Sequence, residues 1–165
     1  MLIRSIFINH YPITKMTKFR LFIAATIVAL VGVVSIAEAQ KPVELVLEGT
    51  DAMQFNKKEL RVKAGQTVKL TLKHTGKLAK AAMGHNFVLL AQGTNVADFG
   101  QKAAQARDND YIPKSEASKI IAHTKMIGGG ETTSVTFKAP KKGTYTYICS
   151  FPGHYALMQG KLIVE

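Results

Sequence analysis

The stretch Cys149-Ser150-Phe151-Pro152-Gly153-His154-Tyr155-Ala156-Leu157-Met158 carries three side chains that can bind a metal, at the spacing Cys-x4-His-x3-Met. It directly follows an apolar run, and Cys149 is the only cysteine among the 165 residues. The alternative is a buried structural cysteine beside a surface histidine and a core methionine, since free cysteine and methionine are usually packing residues. Because all three donor types stand in one short loop, we interpret the stretch as a metal-binding loop.

The donor types indicate which metal this loop would take. Soft sulfur favours cuprous copper, imidazole binds both common oxidation states, and two histidines with one cysteine form the plane of an electron-transfer copper site with a weak axial methionine. Such a plane needs a second histidine, and His85 in Met83-Gly84-His85-Asn86-Phe87 heads another apolar run. We predict that His85, Cys149, His154 and Met158 bind one copper ion, which cycles between Cu(I) and Cu(II).

The N-terminal residues resemble an export signal. Residues 21–37 are apolar, basic residues precede them, and Ala37-Glu38-Ala39 is a small-x-small cleavage site. We therefore predict a signal peptide over residues 1–39, cleavage after Ala39 and a periplasmic domain over 40–165. An uncleaved membrane anchor is the alternative, since 17 apolar residues are close to the minimum for a span. Translation is expected to start at Met16, because residues 16–20 already form a sufficient basic region.

Cysteine content and charge narrow the possible classes. One cysteine cannot form a disulfide within the chain, and metal ligation would protect its thiol in an oxidising compartment. The formal net charge is +11, yet the lysines are scattered along predicted strands instead of clustering with aromatic residues, so nucleic-acid binding is not expected. A basic surface favours acidic partners. We expect a monomer without stable membrane association after cleavage.

Short strand-like segments follow one another along the mature chain. Apolar and polar residues alternate in some of them, while others are continuously apolar or rich in β-branched and aromatic residues. The segments are 43–48, 68–73, 87–91, 133–137, 145–148 and 162–164. Turn sequences at 63–66, 128–130 and 140–143 stand where hairpins would reverse. We predict an all-β fold, an antiparallel Greek-key sandwich of seven or eight strands, in which the segment 87–91 is buried on both sides.

One stretch departs from this strand pattern. Residues 95–106 place Val96, Phe99, Ala103 and Ala106 on one helical face, and Asn95 can cap the start. Gly100 weakens the helical prediction, because glycine is unfavourable inside helices. We predict a helical flap over residues 93–119, inserted between strands.

Several motifs, in order across residues 43–165, resemble the azurin family of cupredoxins. They are Asp51-Ala52-Met53-Gln54-Phe55-Asn56, Met83-Gly84-His85-Asn86, Ile121-Ala122-His123-Thr124-Lys125, Ser134-Val135-Thr136-Phe137, and Phe151-Pro152-Gly153-His154 with Ala156-Leu157-Met158. The spacing of the ligand loop and the long insertion separate this family from plastocyanins and pseudoazurins. The resemblance implies a cupredoxin-like fold and a periplasmic type 1 copper protein.

The same resemblance implies roles for particular residues. His85, Cys149 and His154 would form the trigonal plane, with Met158 as the distant axial ligand and the carbonyl of Gly84 on the other side. Asn86 would tie the two ligand segments together, and backbone amides near Phe151 would bond the thiolate. His74 is either the family's partly buried histidine near the site or a plain surface residue. His123 is expected to have no metal role.

Two features of the family are missing. The family's disulfide is absent, because its positions fall near Val43 and near Gly65 and Gln66, and the family's core tryptophan is absent because the chain contains none. Losing a disulfide can lower the stability of a small domain by about 2–5 kcal/mol. Core packing or bound metal must therefore compensate.

Three functions are compatible with a copper-binding loop of this kind. The first is a one-electron carrier, with redox partners such as c-type cytochromes or periplasmic reductases docking at an apolar patch around His154. Beside this patch, Lys77 and Lys80 either attract acidic faces of the partners or merely keep the surface solvated. The second is a periplasmic copper chaperone or sink, although no Met-rich or His-rich tract supports it. The third, an enzyme, is not expected, because no open coordination position or catalytic pair is recognisable. The patch is predicted to comprise Met53, Leu78, Met83, Phe151, Pro152, Gly153, Ala156 and Leu157.

Overall fold

Nine strands form two sheets in residues 41–165, the part of the chain that the computed structural model describes. The predicted signal peptide, the cleavage site and the start at Met16 lie outside the described residues. The strands are β1 (Val43–Thr50), β2 (Gln54–Phe55), β3 (Glu59–Val62), β4 (Thr67–His74), β5 (Val88–Leu90), β6 (Ile120–His123), β7 (Thr132–Lys138), β8 (Gly143–Ile148) and β9 (Gln159–Val164). One sheet has the order β2-β1-β4-β7 and the other β3-β9-β8-β5-β6.

The sheets are mixed, so the prediction of a wholly antiparallel sandwich is wrong. β1 pairs with β4 in parallel, from Val43 opposite Val68 to Gly49 opposite His74, and β3 pairs with β9 in parallel. The remaining pairs are antiparallel. Side chains alternate between the two faces of a strand whatever the direction of its neighbour, so the alternating pattern could not distinguish the two pairings. The all-β sandwich is confirmed, while its Greek-key connectivity stays a prediction.

The three predicted turns connect the sheets instead of closing hairpins. Residues 63–66 lead from β3 to β4, residues 128–130 lie between β6 and β7, and residues 140–143 lead from β7 to β8. Each of these connections passes from one sheet to the other. Gly65 has a φ of 74°, a left-handed conformation that glycine adopts without strain.

The core lies between the sheets. Leu70 and Leu72 of β4 are fully buried in one hydrophobic cluster with Phe87 and Tyr147, whose ring centroids are 5.4 Å apart. Burying one such aliphatic side chain contributes roughly 1.5–3 kcal/mol. Cys149 and Met158 belong to the same cluster. The predicted metal-binding loop therefore begins and ends inside the main core.

The predicted flap is present. Helix α2 spans Val96–Ala104, and two short 3-10 helices follow at Arg107–Asn109 and Lys114–Lys119. The side chain of Asn95 caps α2 by accepting a hydrogen bond of 3.1 Å from the backbone N–H of Asp98. A second hydrophobic cluster lies between this flap and the five-stranded sheet. Its buried members are Val88, Leu90, Phe99, Ala103, Ile112 and Ile148.

Strand β5 is buried on both faces, as its continuous apolar run predicts. Leu89 packs into the main core, while Val88 and Leu90 pack against the flap. A four-residue helix that the sequence did not reveal, α1 (Lys80–Met83), precedes the segment of His85. Among residues 41–165, no helix has the length and apolar character needed to cross a membrane.

Candidate metal centre

The side chains of His85, Cys149 and His154 converge at one end of the main core. The Cys149 Sγ atom lies 3.9 Å from His85 Nδ1 and 3.7 Å from His154 Nδ1. All three donor atoms lie within 4.8 Å of one another, and all three residues are buried. Two segments more than 60 residues apart in sequence thus bring together the three side chains predicted for the ligand plane.

Short-range hydrogen bonds shape the loop from Cys149 to Met158. The backbone N–H of Cys149 donates to the carbonyl of Met158 at 2.9 Å, so the two ends of the loop are joined. His154 begins a 3-10 turn, and its carbonyl accepts hydrogen bonds from Leu157 and Met158. Gly153 has a φ of 80° and allows the tight turn before the histidine. The loop is therefore closed by its own backbone.

The segment around His85 is held by distant parts of the chain. The backbones of His85 and Ile127 exchange two hydrogen bonds of 2.9 Å. The ring of His85 stacks on His74 with centroids 4.1 Å apart, and its Nε2 is 2.9 Å from the carbonyl of Thr50. Three elements of the fold thus fix one imidazole. His85 precedes β5 by three residues, so it lies in an isolated bridge and not at the head of the strand.

Both histidines suit metal binding in their neutral form. A carbonyl oxygen faces each ring nitrogen of His85, that of Thr50 at Nε2 and that of Gly84 at Nδ1. With the proton on Nε2, donated to Thr50, the lone pair of Nδ1 is free for a metal beside Cys149. Burial lowers the pKa of His85, and it lowers the pKa of His154 to about 4, with a smaller effect from the neighbouring His85. Both rings are therefore uncharged at neutral pH, and neither has to lose a proton before its free nitrogen binds a metal.

The thiol of Cys149 is fully buried, and burial raises its pKa to about 12. Hydrogen bonds from the backbone amides of Asn86 and Phe151 act in the opposite direction and favour the thiolate. Without metal the thiol stays protonated at neutral pH, and a metal ion would displace that proton. The amide near Phe151 matches the prediction, whereas the amide of Asn86 could not be read from the sequence.

The side chain of Asn86 joins the two segments. Its Nδ2 donates to Ser150 Oγ at 2.8 Å, and its Oδ1 accepts from the backbone N–H of Ser150 at 2.8 Å. Both residues are fully buried. This pair of hydrogen bonds performs the role predicted for Asn86. Sequence reasoning missed Ser150, whose backbone N–H donates to Asn86, and the carbonyl of Thr50, because backbone groups leave no signal in residue identity.

Gly84 and Met158 lie next to the three donor residues. The Gly84 carbonyl oxygen is 2.9 Å from His85 Nδ1 and 3.7 Å from Cys149 Sγ. A Cβ atom at residue 84 would lie 2.6 Å from the carbonyl oxygen of Lys80 and 2.9 Å from the sulfur of Met126, so the position requires glycine. Met158 is fully buried in the core cluster that contains Cys149.

The spacing of the donors fits a trigonal metal site. With bond lengths of about 2.3 Å to sulfur and about 2.0 Å to nitrogen, two donors at 120° stand roughly 3.7 Å apart. The observed distances from sulfur to nitrogen are 3.7 and 3.9 Å. One thiolate and two imidazoles are also the in-plane donor set of a type 1 copper site. Geometry and donor chemistry agree on copper.

Comparisons with known proteins point to the same metal. The profile of the copper-binding proteins of the plastocyanin/azurin family matches residues 42–165. The chain belongs to this family. It is 50% identical over 120 residues to azurin-1 of Alcaligenes xylosoxydans xylosoxydans, which covers 70% of this chain and 92% of that protein. It is 44% identical over 144 residues to the azurin of Achromobacter denitrificans, covering 84% and 95% respectively.

A solved structure extends the likeness to the fold. Auracyanin A, a "blue" copper protein of Chloroflexus aurantiacus, is 39% identical to this chain and superposes with a TM-score of 0.70. The match covers 76% of this chain and all of auracyanin A. The predicted resemblance to the azurin family is confirmed, and copper is the metal of this family.

His74 and His123, which are not among the three donor residues, differ from each other in burial. His74 is buried; its Nε2 donates to the carbonyl of Met83 at 2.8 Å, and its Nδ1 accepts from the backbone N–H of Gly76 at 3.0 Å. The surface alternative for His74 is therefore wrong. His123 is exposed on β6 and does not join the three donors.

Ala156 and Leu157 of the ligand loop are exposed close to His154 in sequence, while the wider apolar patch stays a prediction. Leu157 is 56% exposed and Leu78 is 45% exposed, whereas His154 itself is only 3% exposed. Phe151 packs on the ring of His154 with centroids 4.6 Å apart. The ammonium group of Lys58 lies 3.0 Å from the Leu157 carbonyl.

Proposed function

We propose that the chain is a periplasmic one-electron carrier with one copper ion per molecule. His85, Cys149 and His154 would hold the ion, Met158 would be a further, weaker ligand, and the carbonyl of Gly84 would also face the site. The observation that carries the proposal is the convergence of one buried thiol and two buried imidazoles at trigonal spacing. Copper, when bound, supplies reversible one-electron chemistry.

The protein's part is to hold the donors in place. The ligand loop is closed by its own backbone, His85 is fixed by Thr50 and His74, and Asn86 joins the two segments. A site fixed in this way limits the rearrangement of the ligands when the charge of the metal changes. Small rearrangement favours fast electron transfer.

Burial of the donors favours a carrier over an enzyme and over a copper chaperone. His85 and Cys149 are fully buried and His154 is 3% exposed. A substrate or an acceptor protein that takes up the ion needs an open coordination position, whereas an electron does not. The weakly exposed ring of His154 is the natural route to the surface, because Phe151 packs on it and the exposed Leu157 follows it in the same loop.

We propose that redox proteins, such as c-type cytochromes or periplasmic reductases, dock at the patch around His154. A small apolar surface suits brief contacts in which release must be fast. Lys77 and Lys80 are exposed, and in this proposal they favour partners with acidic faces. We propose that the carrier is a monomer and is not an enzyme.

Residues 1–39 act as a signal peptide in this proposal, and the mature chain begins at Gln40. N-terminal sequencing of protein from the periplasmic fraction should give Gln40 first. A membrane-embedded form that retains residues 21–37 would contradict this and establish the anchor.

A visible absorption spectrum tests the function most directly. Copper-loaded protein should show an intense blue charge-transfer band that disappears on reduction and returns on oxidation, together with measurable electron self-exchange. Transfer of copper to an acceptor protein without redox turnover would contradict the carrier and support a chaperone.

A further inference from the structure

The helical flap contacts the metal-binding loop through the residue directly after His154. Tyr155 lies in the 3-10 turn His154–Ala156, between the proposed ligands His154 and Met158. Its side chain packs against the hydrophobic cluster of the flap, whereas Cys149 and Met158 belong to the main core. A loop of ten residues is therefore attached to two separate hydrophobic clusters.

Gly100 is the place in the flap where Tyr155 packs. Gly100 is buried in the interior of helix α2. A Cβ atom there would lie 2.6 Å from Cγ of Tyr155 and closer still to Cδ1 and Cε1. Glycine weakens a helix interior relative to alanine, so its presence needs a cause. The ring of Tyr155, which leaves no room for a side chain at residue 100, supplies it.

We propose that Tyr155 is a positioning residue, which seats on Gly100 and thereby holds His154 and Met158 at the metal. The amides of Leu157 and Met158 donate to the carbonyl of His154. A displacement of the Tyr155 ring is therefore transmitted to both His154 and Met158. The flap makes a second contact with the loop, through the rings of Tyr111 and Phe151, whose centroids are 5.2 Å apart. The inference depends on the proposed ligand set, because it is His154 and Met158 that Tyr155 positions.

The test measures how fast copper is lost from reduced, copper-loaded protein to an excess of a Cu(I) chelator. Tyr155→Ala removes the ring, and Gly100→Ala displaces it; each should accelerate copper loss on the order of tenfold, the scale of one aromatic contact. Tyr155→Phe keeps the ring and should match the original protein. The double variant Gly100→Ala/Tyr155→Ala should lose copper no faster than Tyr155→Ala, because the added methyl group then meets no ring.

A neighbouring residue provides the matched control. Gln101 is exposed on the same helix. Gln101→Gly weakens α2 by helix propensity and should leave copper loss unchanged. Gly100→Ala strengthens the helix by propensity alone, about fivefold in the folding constant, yet should accelerate copper loss. The proposal is overturned if Gly100→Ala or Tyr155→Ala leaves copper loss unchanged, if the two substitutions multiply in the double variant, or if Gln101→Gly has an equal effect.

A second measurement separates this inference from the ligand assignment. Amide hydrogen exchange of Leu157 and Met158 in metal-free protein should quicken in Gly100→Ala and Tyr155→Ala, again non-additively, and not in Gln101→Gly. It also decides the matter where a variant binds no copper. If the unsubstituted protein shows no blue band while the exchange coupling is found, the ligand assignment fails and the contact stands. If the band is present and the coupling is absent, the contact fails alone.

Discussion

The two segments that meet at the metal centre are held in different ways. His85 is fixed by distant residues, namely Thr50, His74 and Ile127. His154 is held within its own loop, where its amide donates to the carbonyl of Phe151 and its carbonyl accepts from Met158. The position of His85 thus depends on the whole sandwich, whereas most of the loop geometry is local. The segment of His85 is therefore a part of the site fixed by the sandwich, whereas the loop of His154 is the part of the site next to the surface.

The largest expected effect on the absorption spectrum comes from removing the sulfur of Cys149, the donor atom at which the two segments meet. Cys149→Ser replaces the thiol by a hydroxyl of similar size and should abolish the blue band completely, because no other sulfur can form a thiolate in this chain. An absorption spectrum with added Cu(II) measures the loss, and a circular dichroism spectrum controls for folding. A variant that kept the band would show that the ligand assignment is wrong.

The second prediction compares the two segments as routes for electrons. Leu157 lies on the loop and Met83 precedes His85 by two residues, so Leu157→Glu and Met83→Lys place a charge in each of the two segments. Both should slow electron self-exchange by more than about tenfold at low salt, because two molecules meeting patch to patch would bury like charges. The spectrum should hardly change, since neither residue is a proposed ligand.

Line broadening in samples of mixed oxidation state measures this rate. Thr136→Glu is the matched control, because Thr136 is exposed on β7 of the four-stranded sheet. Unchanged rates in both patch variants would mean that electrons leave elsewhere. A loss in Leu157→Glu alone would sharpen the comparison and assign the route to the loop.

The sequence revealed the local half of the site more fully than the other half. The loop carries Cys149, His154 and Met158 within ten residues, so donor identity and spacing alone predicted it. His85 could be paired with them through its position before an apolar run, but its contact with the Thr50 carbonyl could not be predicted. A contact between residues 35 apart in sequence depends on the completed fold.

The same reasoning explains what was predicted of the fold. Six strands and the capped helix after Asn95 follow from local patterns, and the structure contains them. The short strands β2, β3 and β6 were not predicted. The parallel pairing of β1 with β4 does not follow from local patterns, because neighbouring strands are chosen by the packing of the whole sandwich. Gly100 is instructive, since it weakened the helical prediction for a reason that became visible only when Tyr155 was found against it.

The third prediction concerns the connection between the segments. Asn86→Ala removes both hydrogen bonds to Ser150 and leaves its buried backbone N–H without that acceptor, so the free energy of unfolding should fall by about 3 kcal/mol. Ser150→Ala removes only the hydroxyl partner and should lower it by about 1 kcal/mol. Urea denaturation of metal-free protein measures both. Equal losses would show that the backbone hydrogen bond does not carry the connection.

The smallest effect is expected at the proposed axial ligands, Met158 of the loop and the carbonyl of Gly84 in the segment of His85. A long axial bond adds little beside three short ones, so Met158→Leu should still bind copper and remain blue. Its reduction potential should rise, because losing the thioether donor weakens the binding of the cupric state more than that of the cuprous state. A tenfold difference between the two states corresponds to about 59 mV.

Met126→Leu is the matched control for this change, because Met126 is buried beside Gly84 and is not a proposed ligand. Its potential, measured by voltammetry under the same conditions, should stay close to that of the unsubstituted protein. A colourless or metal-free Met158→Leu would contradict a weak axial role and make the thioether a principal ligand. Equal shifts in both variants would instead assign the effect to core packing, since the two substitutions change sulfur to carbon at buried sites of similar volume.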